Sequence, residues 1–243
     1  QTAAPSLADT TWLGRHAQTI TKARPGKSGF LLLDKGEDAL LWRGALADRA
    51  QRTIDAQYFI WSDDNIGTLA AEGLLRAADR NVRVRVLVDD FPITADPRFI
   101  ALLNAHPNIH IRIYNPSGVF ADSLGGKMRA TLGDFKRLNR RMHNKLFLVD
   151  GAIGILGGRN VADEYYDMHE DYNFRDRDVL ALGPVTARLA ASFDEYWNSP
   201  WAVPVKALLD TTVTANDQQA YYDELHKYAA DPEHYPLRFR DSL

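Results

Sequence analysis

The sequence predicts an α/β fold, a mixed and largely parallel β-sheet with helices on both faces. Segments with apolar residues at helical spacing alternate with short strand-like segments, and the alternation recurs at the interval of a βαβ unit. Short runs of turn residues separate several of the segments.

Taken in order, Asp38 to Ala50 has helical spacing, and Thr53 to Trp61 alternates as a half-buried strand does. The turn Ser62 to Gly67 leads to an amphipathic helix from Thr68 to Ala78. Val82 to Asp90 is a strand with Arg83 and Arg85 on one face and Val82, Val84 and Val86 on the other. A short helix over 97–104 and a strand over 110–114 complete this rhythm. Residues 115–141 break it, with few apolar periods and many basic residues, and a loop of that length in a compact domain points to function. Two buried strands follow, Leu146 to Val149 and Ile153 to Leu156, split by the turn Asp150-Gly151. A strand at Asp178 to Leu182 and a helix from Val185 to Tyr196 come next, and 201–243 reads as a linker with one weak helix near Gln218 to Tyr228. The expected organisation is an extension over 1–28, a catalytic unit over 29–200 and a linker over 201–243.

A chain of 243 residues with 45% hydrophobic content can bury a full core. Its net charge of −3 argues against a general nucleic-acid binder, which needs excess Lys and Arg to displace counterions. Without cysteine there is no thiolate metal site and no disulfide. The longest apolar runs are strand-sized, so any lipid is met from the surface. The start at Gln1, with neither a basic segment nor an apolar signal core, suggests a processed or trimmed beginning.

The string HNKLFLVDGAIGILGGRN, from His143 to Asn160, carries the chemistry. Residues two apart on a strand share a face, so an imidazole and an ammonium there can grip one object, and a phosphoryl group suits that pair. The glycines Gly157 and Gly158 let backbones approach closely and deliver Asn160, whose amide can donate to a phosphoryl oxygen. A His-x-Lys pair alone recurs freely and would read as a solvated strand edge. Asp150, in the turn before Gly151, reads as structural, bonding nearby backbone amides.

The complete pattern, His143-x-Lys145-x-x-x-x-Asp150, six residues, then Gly157-Gly158-x-Asn160, resembles the HKD signature of the phospholipase D superfamily, with Gly158 where that family usually has serine. The flanking stretches over most of residues 29 to 205 are similar to the first half of bacterial cardiolipin synthase-like proteins, in particular the cardiolipin synthase C branch. The resemblance implies a phosphatidyltransferase or phospholipase D acting on glycerophospholipid diesters, without a metal or other cofactor. By the same resemblance His143 is the nucleophile that forms a phosphohistidine, or else the acid that protonates the leaving alcohol. Lys145 and Asn160 hold the nonbridging oxygens. The segment Phe174 to Gly183 resembles the family's aromatic-x-Asp, which selects Asp176 as the acid that orients the histidine, with Asp178 the weaker candidate.

The basic run Lys136, Arg137, Arg140 and Arg141 enters the same strand and is the expected contact for phosphate or anionic lipid at a membrane surface. Phe120, Leu124, Met128 and Leu132 either dip into the acyl boundary or pack beneath their loop. The family's active site pairs two such motifs and this sequence holds one, so the expected partner is a second HKD half of the same protein or a homodimer mate. The expected substrates are phosphatidylglycerol, phosphatidylethanolamine or cardiolipin, with no nucleic acid, at a bacterial cell envelope to which the protein is peripheral or anchored. A hydrolase releasing phosphatidic acid, a nuclease and a noncatalytic scaffold are the competing readings.

Overall fold

A computed structural model describes residues 10–90, 97–116, 141–209 and 212–236. In chain order its elements are α1 (Trp12–Thr21), β1 (Gly29–Leu33), α2 (Gly36–Arg49), β2 (Thr53–Tyr58), α3 (Asn65–Asp79), β3 (Arg83–Asp89), α4 (Pro97–Asn104) and β4 (Ile109–Tyr114). They continue as β5 (Leu146–Val149), β6 (Ile153–Gly157), β7 (Asp178–Leu182), α5 (Val185–Trp197), β8 (Ala202–Pro204), α6 (Val205–Leu208) and α7 (Ala215–Ala229).

The strands form a mixed sheet in the order β1-β7-β6-β5-β2-β3-β4-β8. The βαβ rhythm read from the sequence is the parallel run β2-β3-β4, crossed over by α3 and α4. The expectation of a largely parallel sheet extends no further, because β1, β5, β6, β7 and β8 all pair antiparallel. The tight turn at Asp150-Gly151 returns β6 beside β5, and a hairpin of that length permits only antiparallel pairing.

Each face has its own core. On one, Ile54, Ala56, Tyr58, Val84, Val86 and Val88 pack beneath α2, α3, α4 and α7. On the other, Leu87, Leu146 and Leu148 meet Phe193 and Trp197 of α5. Arg85 belongs to this second face and is buried by α5, with Nε and Nη2 on the Asp55 carboxylate at 2.6 and 2.9 Å and Nη1 on Asp194 at 2.7 Å.

The ends of the chain are more structured than the sequence suggests. α1 buries Leu13 and Ala17. β1 pairs with β7 across about 150 residues of intervening chain, a contact that no local pattern announces. The stretch read as a linker supplies the edge strand β8, and α7 buries Tyr222 and Leu225 against the main core.

Candidate active site

The C-terminal ends of β2, β3 and β6 and the starts of β5 and β7 meet at one edge of the sheet, where open α/β sheets place their ligands. His143 and Lys145 lie just ahead of β5, which begins at Leu146, rather than within a strand. Strand alternation therefore does not set their directions, although both side chains reach the same Phe59 ring. The His143 ring is exposed while Lys145 is 5% exposed.

Buried anchors set this segment. Asp89, at the end of β3 and fully buried, accepts from the Met142 amide at 2.8 Å and pairs with Arg141 Nη1 at 3.1 Å. Gln57 of β2 donates to the Met142 sulfur at 3.0 Å. With the preceding peptide held from two strands, the His143 ring rests against the Phe59 ring at 4.9 Å between centroids. Lys145 Nζ lies 5.1 Å from the centroid of the same ring and donates to the His143 carbonyl at 2.8 Å. Phe59 is thus a common platform for the two basic groups.

The electrostatics follow from this packing. Burial pushes the Lys145 ammonium down to about 8, against the pull of Asp176 and Asp89. Partial burial and then the Lys145 charge hold His143 below its ordinary imidazole value, with the same two acids opposing. Near neutral pH the site presents a neutral imidazole beside a charged ammonium.

Asn160 lies beyond β6, its Oδ1 accepting from the Ile60 amide at 3.0 Å, next in sequence to Phe59. That bond fixes which end of the amide is the donor, and its side chain also hydrogen-bonds Tyr165. The approach of β6 to the start of β7 explains both glycines. A Cβ on Gly157 would lie 2.2 Å from Asp178 Oδ1, and one on Gly158 would lie 2.5 Å from Asp176 Oδ1. The Asp176 carboxylate therefore fills the space where the family's serine would project. Asp176 also acts electrostatically on His143, Lys145 and Tyr165, so it faces the site.

Asp178 faces away from it, buried in a salt bridge of 2.9 Å to Arg43 Nη2 with Arg159 Nη1 at 3.7 Å. The neighbouring Arg177 pairs instead with Asp34. Asp150 accepts from the amides of Gln51, Arg52 and Thr53 at 2.7 to 3.3 Å, which ties the α2–β2 turn to the β5–β6 hairpin rather than bonding its own turn. Of the expected lipid contacts, Arg141 is half-buried on Asp89, while Lys136, Arg137, Arg140, Phe120, Leu124, Met128 and Leu132 lie outside the described residues. Phe59 and Asp89 were missed by the sequence reading. The position of Asp89 at the end of a parallel strand is the signal that could have found it.

Comparison with known proteins bears on the family and the fold. A family model described as "Cardiolipin synthase, PLD-like domain" matches residues 45–197, a span that includes His143, Lys145, Asn160 and Asp176. Cardiolipin synthase C of Escherichia coli (strain K12) is 42% identical over 194 residues, which cover 79% of this chain and 40% of that protein's length. Among solved structures, NucT from Helicobacter pylori superposes with a TM-score of 0.52 at 15% identity, covering 73% of this chain and 98% of that one. Phosphatidylserine synthase of Haemophilus influenzae Rd KW20 gives a TM-score of 0.53 at 14% identity, over 89% of this chain and 47% of that one. The structural likenesses attest the mixed α/β sheet, and the sequence match places the chain in the phospholipase D-like cardiolipin synthase family.

Proposed function

We propose that the protein is a phosphatidyltransferase that acts on glycerophospholipid phosphodiesters through a phosphohistidine on His143. The observation that carries this reading is an exposed imidazole set beside a nearly buried ammonium on one aromatic platform. The imidazole nitrogen attacks phosphorus and the P–O bond to the leaving alcohol breaks, that alcohol taking a proton from a general acid. An acceptor hydroxyl then attacks phosphorus, the P–N bond breaks, and the acceptor's proton returns to the acid. Lys145 and the Asn160 amide hold the nonbridging oxygens as charge develops. Asp176, whose charge reaches His143, stabilises the ring when it carries positive charge.

The chain spans about 40% of the length of the curated relatives it matches. The general acid is assigned to a second HKD motif, in a further half of the same protein or in a homodimer mate. Among the described residues no helix is long and apolar enough to cross a membrane, and a peripheral position at the bacterial envelope is the reading that fits a lipid substrate.

Mass spectrometry of lipids after incubating the complete protein with phosphatidylglycerol and phosphatidylethanolamine tests the proposal. A product with four acyl chains is the expected result. Phosphatidic acid alone would make the enzyme a hydrolase, and cleavage of single-stranded DNA without lipid turnover would make it a nuclease.

A pH dependence follows from these roles. Lys145 must be charged and His143 neutral, so kcat/KM falls on the alkaline side as Lys145 deprotonates near pH 8, and on the acid side below the ordinary imidazole range. Lys145→Arg, which keeps its charge throughout, is expected to lose the alkaline limb at a lower plateau. An alkaline limb unchanged in that variant would remove Lys145 from the assignment.

A further inference from the structure

Helices α2 and α3 leave between them an apolar groove of about 280 Å3, floored by Ala56 and Phe147 of the sheet. Two features mark it as built space. Gly44 of α2 and Gly73 of α3 both line it, and a Cβ added at either would meet no atom of the described residues within 4 Å. A glycine inside a helix normally earns its place by letting a neighbouring backbone approach. These two have no neighbour to admit, and they keep the groove open.

The second feature is Tyr166, 1% exposed, which lines the groove and whose hydroxyl has no hydrogen-bond partner among the described residues. Buried hydroxyls are nearly always paired. The adjacent Arg43 directs its donors elsewhere, to the Tyr58 hydroxyl, the Ala39 carbonyl and the Asp178 carboxylate. Trp61 and Val161 also line the groove, and their backbones form the bridge one residue beyond Asn160.

We propose that the groove takes one acyl chain of the glycerophospholipid substrate, with its ester carbonyl oxygen accepting the Tyr166 O–H. This rests on the lipid-transfer reading and names where the apolar part of that substrate lies. The groove is roughly twice the size of the 150 Å3 apolar cavity that takes up benzene, which is room for a stretch of hydrocarbon. A peptide would bring a row of N–H and C=O groups needing partners. An acyl ester brings one polar group at the end of a chain, matching the one buried hydroxyl left unpaired at the groove among the described residues.

The test uses the complete protein and a bromine-tagged ten-carbon fatty-acid methyl ester, which has the chain and the ester but no phosphate. Saturable quenching of tryptophan fluorescence is expected, since Trp61 lines the groove. Gly73→Leu, and independently Gly44→Leu, should weaken it at least tenfold without lowering the melting temperature, and Tyr166→Phe should weaken it several-fold. Absence of saturable quenching, or equal quenching in both leucine variants, would overturn the proposal. Because the probe carries no phosphate, failure of lipid transfer with quenching intact would count against the transferase reading alone, and lost quenching with transfer intact would count against the groove alone.

Discussion

His143→Ala is expected to lower lipid transfer by at least about 1,000-fold while leaving the melting temperature unchanged, because it removes the nucleophile from an exposed position. The ring's packing contact is the Phe59 face, and its loss opens no cavity in either core. Activity and folding therefore separate at this residue. The Ala variant and the wild type should give superimposable melting curves and far-UV spectra. Transfer that survived the substitution would reduce the chain to a scaffold that completes another subunit's site.

Asp178→Ala should act in the opposite way, through stability. Asp178 is fully buried at the start of β7, and its carboxylate meets Arg43 and Arg159 together. Arg159, 2% exposed, also donates to the carbonyls of Tyr165, Leu33 and Asp34, so it joins β1 to the turn that follows Asn160. Removing the carboxylate leaves two cations buried without their counter-charge. The expected cost is about 3–5 kcal/mol, or roughly 6–20 °C in melting temperature for a chain of this size. A loss under about 1 kcal/mol by denaturant titration would mean that the backbone carbonyls alone suffice for the two guanidinium groups.

These two acidic and basic positions also show what could be read from the sequence. The spacing from His143 to Asn160 is local, so the candidate nucleophile, its lysine and the close-approach glycines were legible, as was the β2-β3-β4 unit whose helices carry their own periodicity. The choice between Asp176 and Asp178 was left to resemblance, because a carboxylate two residues earlier or later looks the same until β7 is known to begin at Asp178. Arg85 was placed on one face of its strand with Arg83, but nothing local reveals that α5 will cover it. Phe59 and Asp89 were hidden for the same reason. Each acts on His143 or Lys145 from a different strand, across a sheet whose order β6-β5-β2-β3 is set by long-range pairing. The strand expected to open at His143 begins instead at Leu146: Asp89 and Gln57 hold Met142 just ahead of the two basic residues, of which His143 is exposed and Lys145 buried.

Covalent transfer requires a bond between phosphorus and His143 during turnover. The direct measurement is mass spectrometry of the complete protein mixed with phosphatidylglycerol, quenched in alkali within milliseconds, and digested. A phosphatidyl adduct on the peptide containing His143 is the predicted result. An adduct on a different histidine, or none during undiminished turnover, would contradict it.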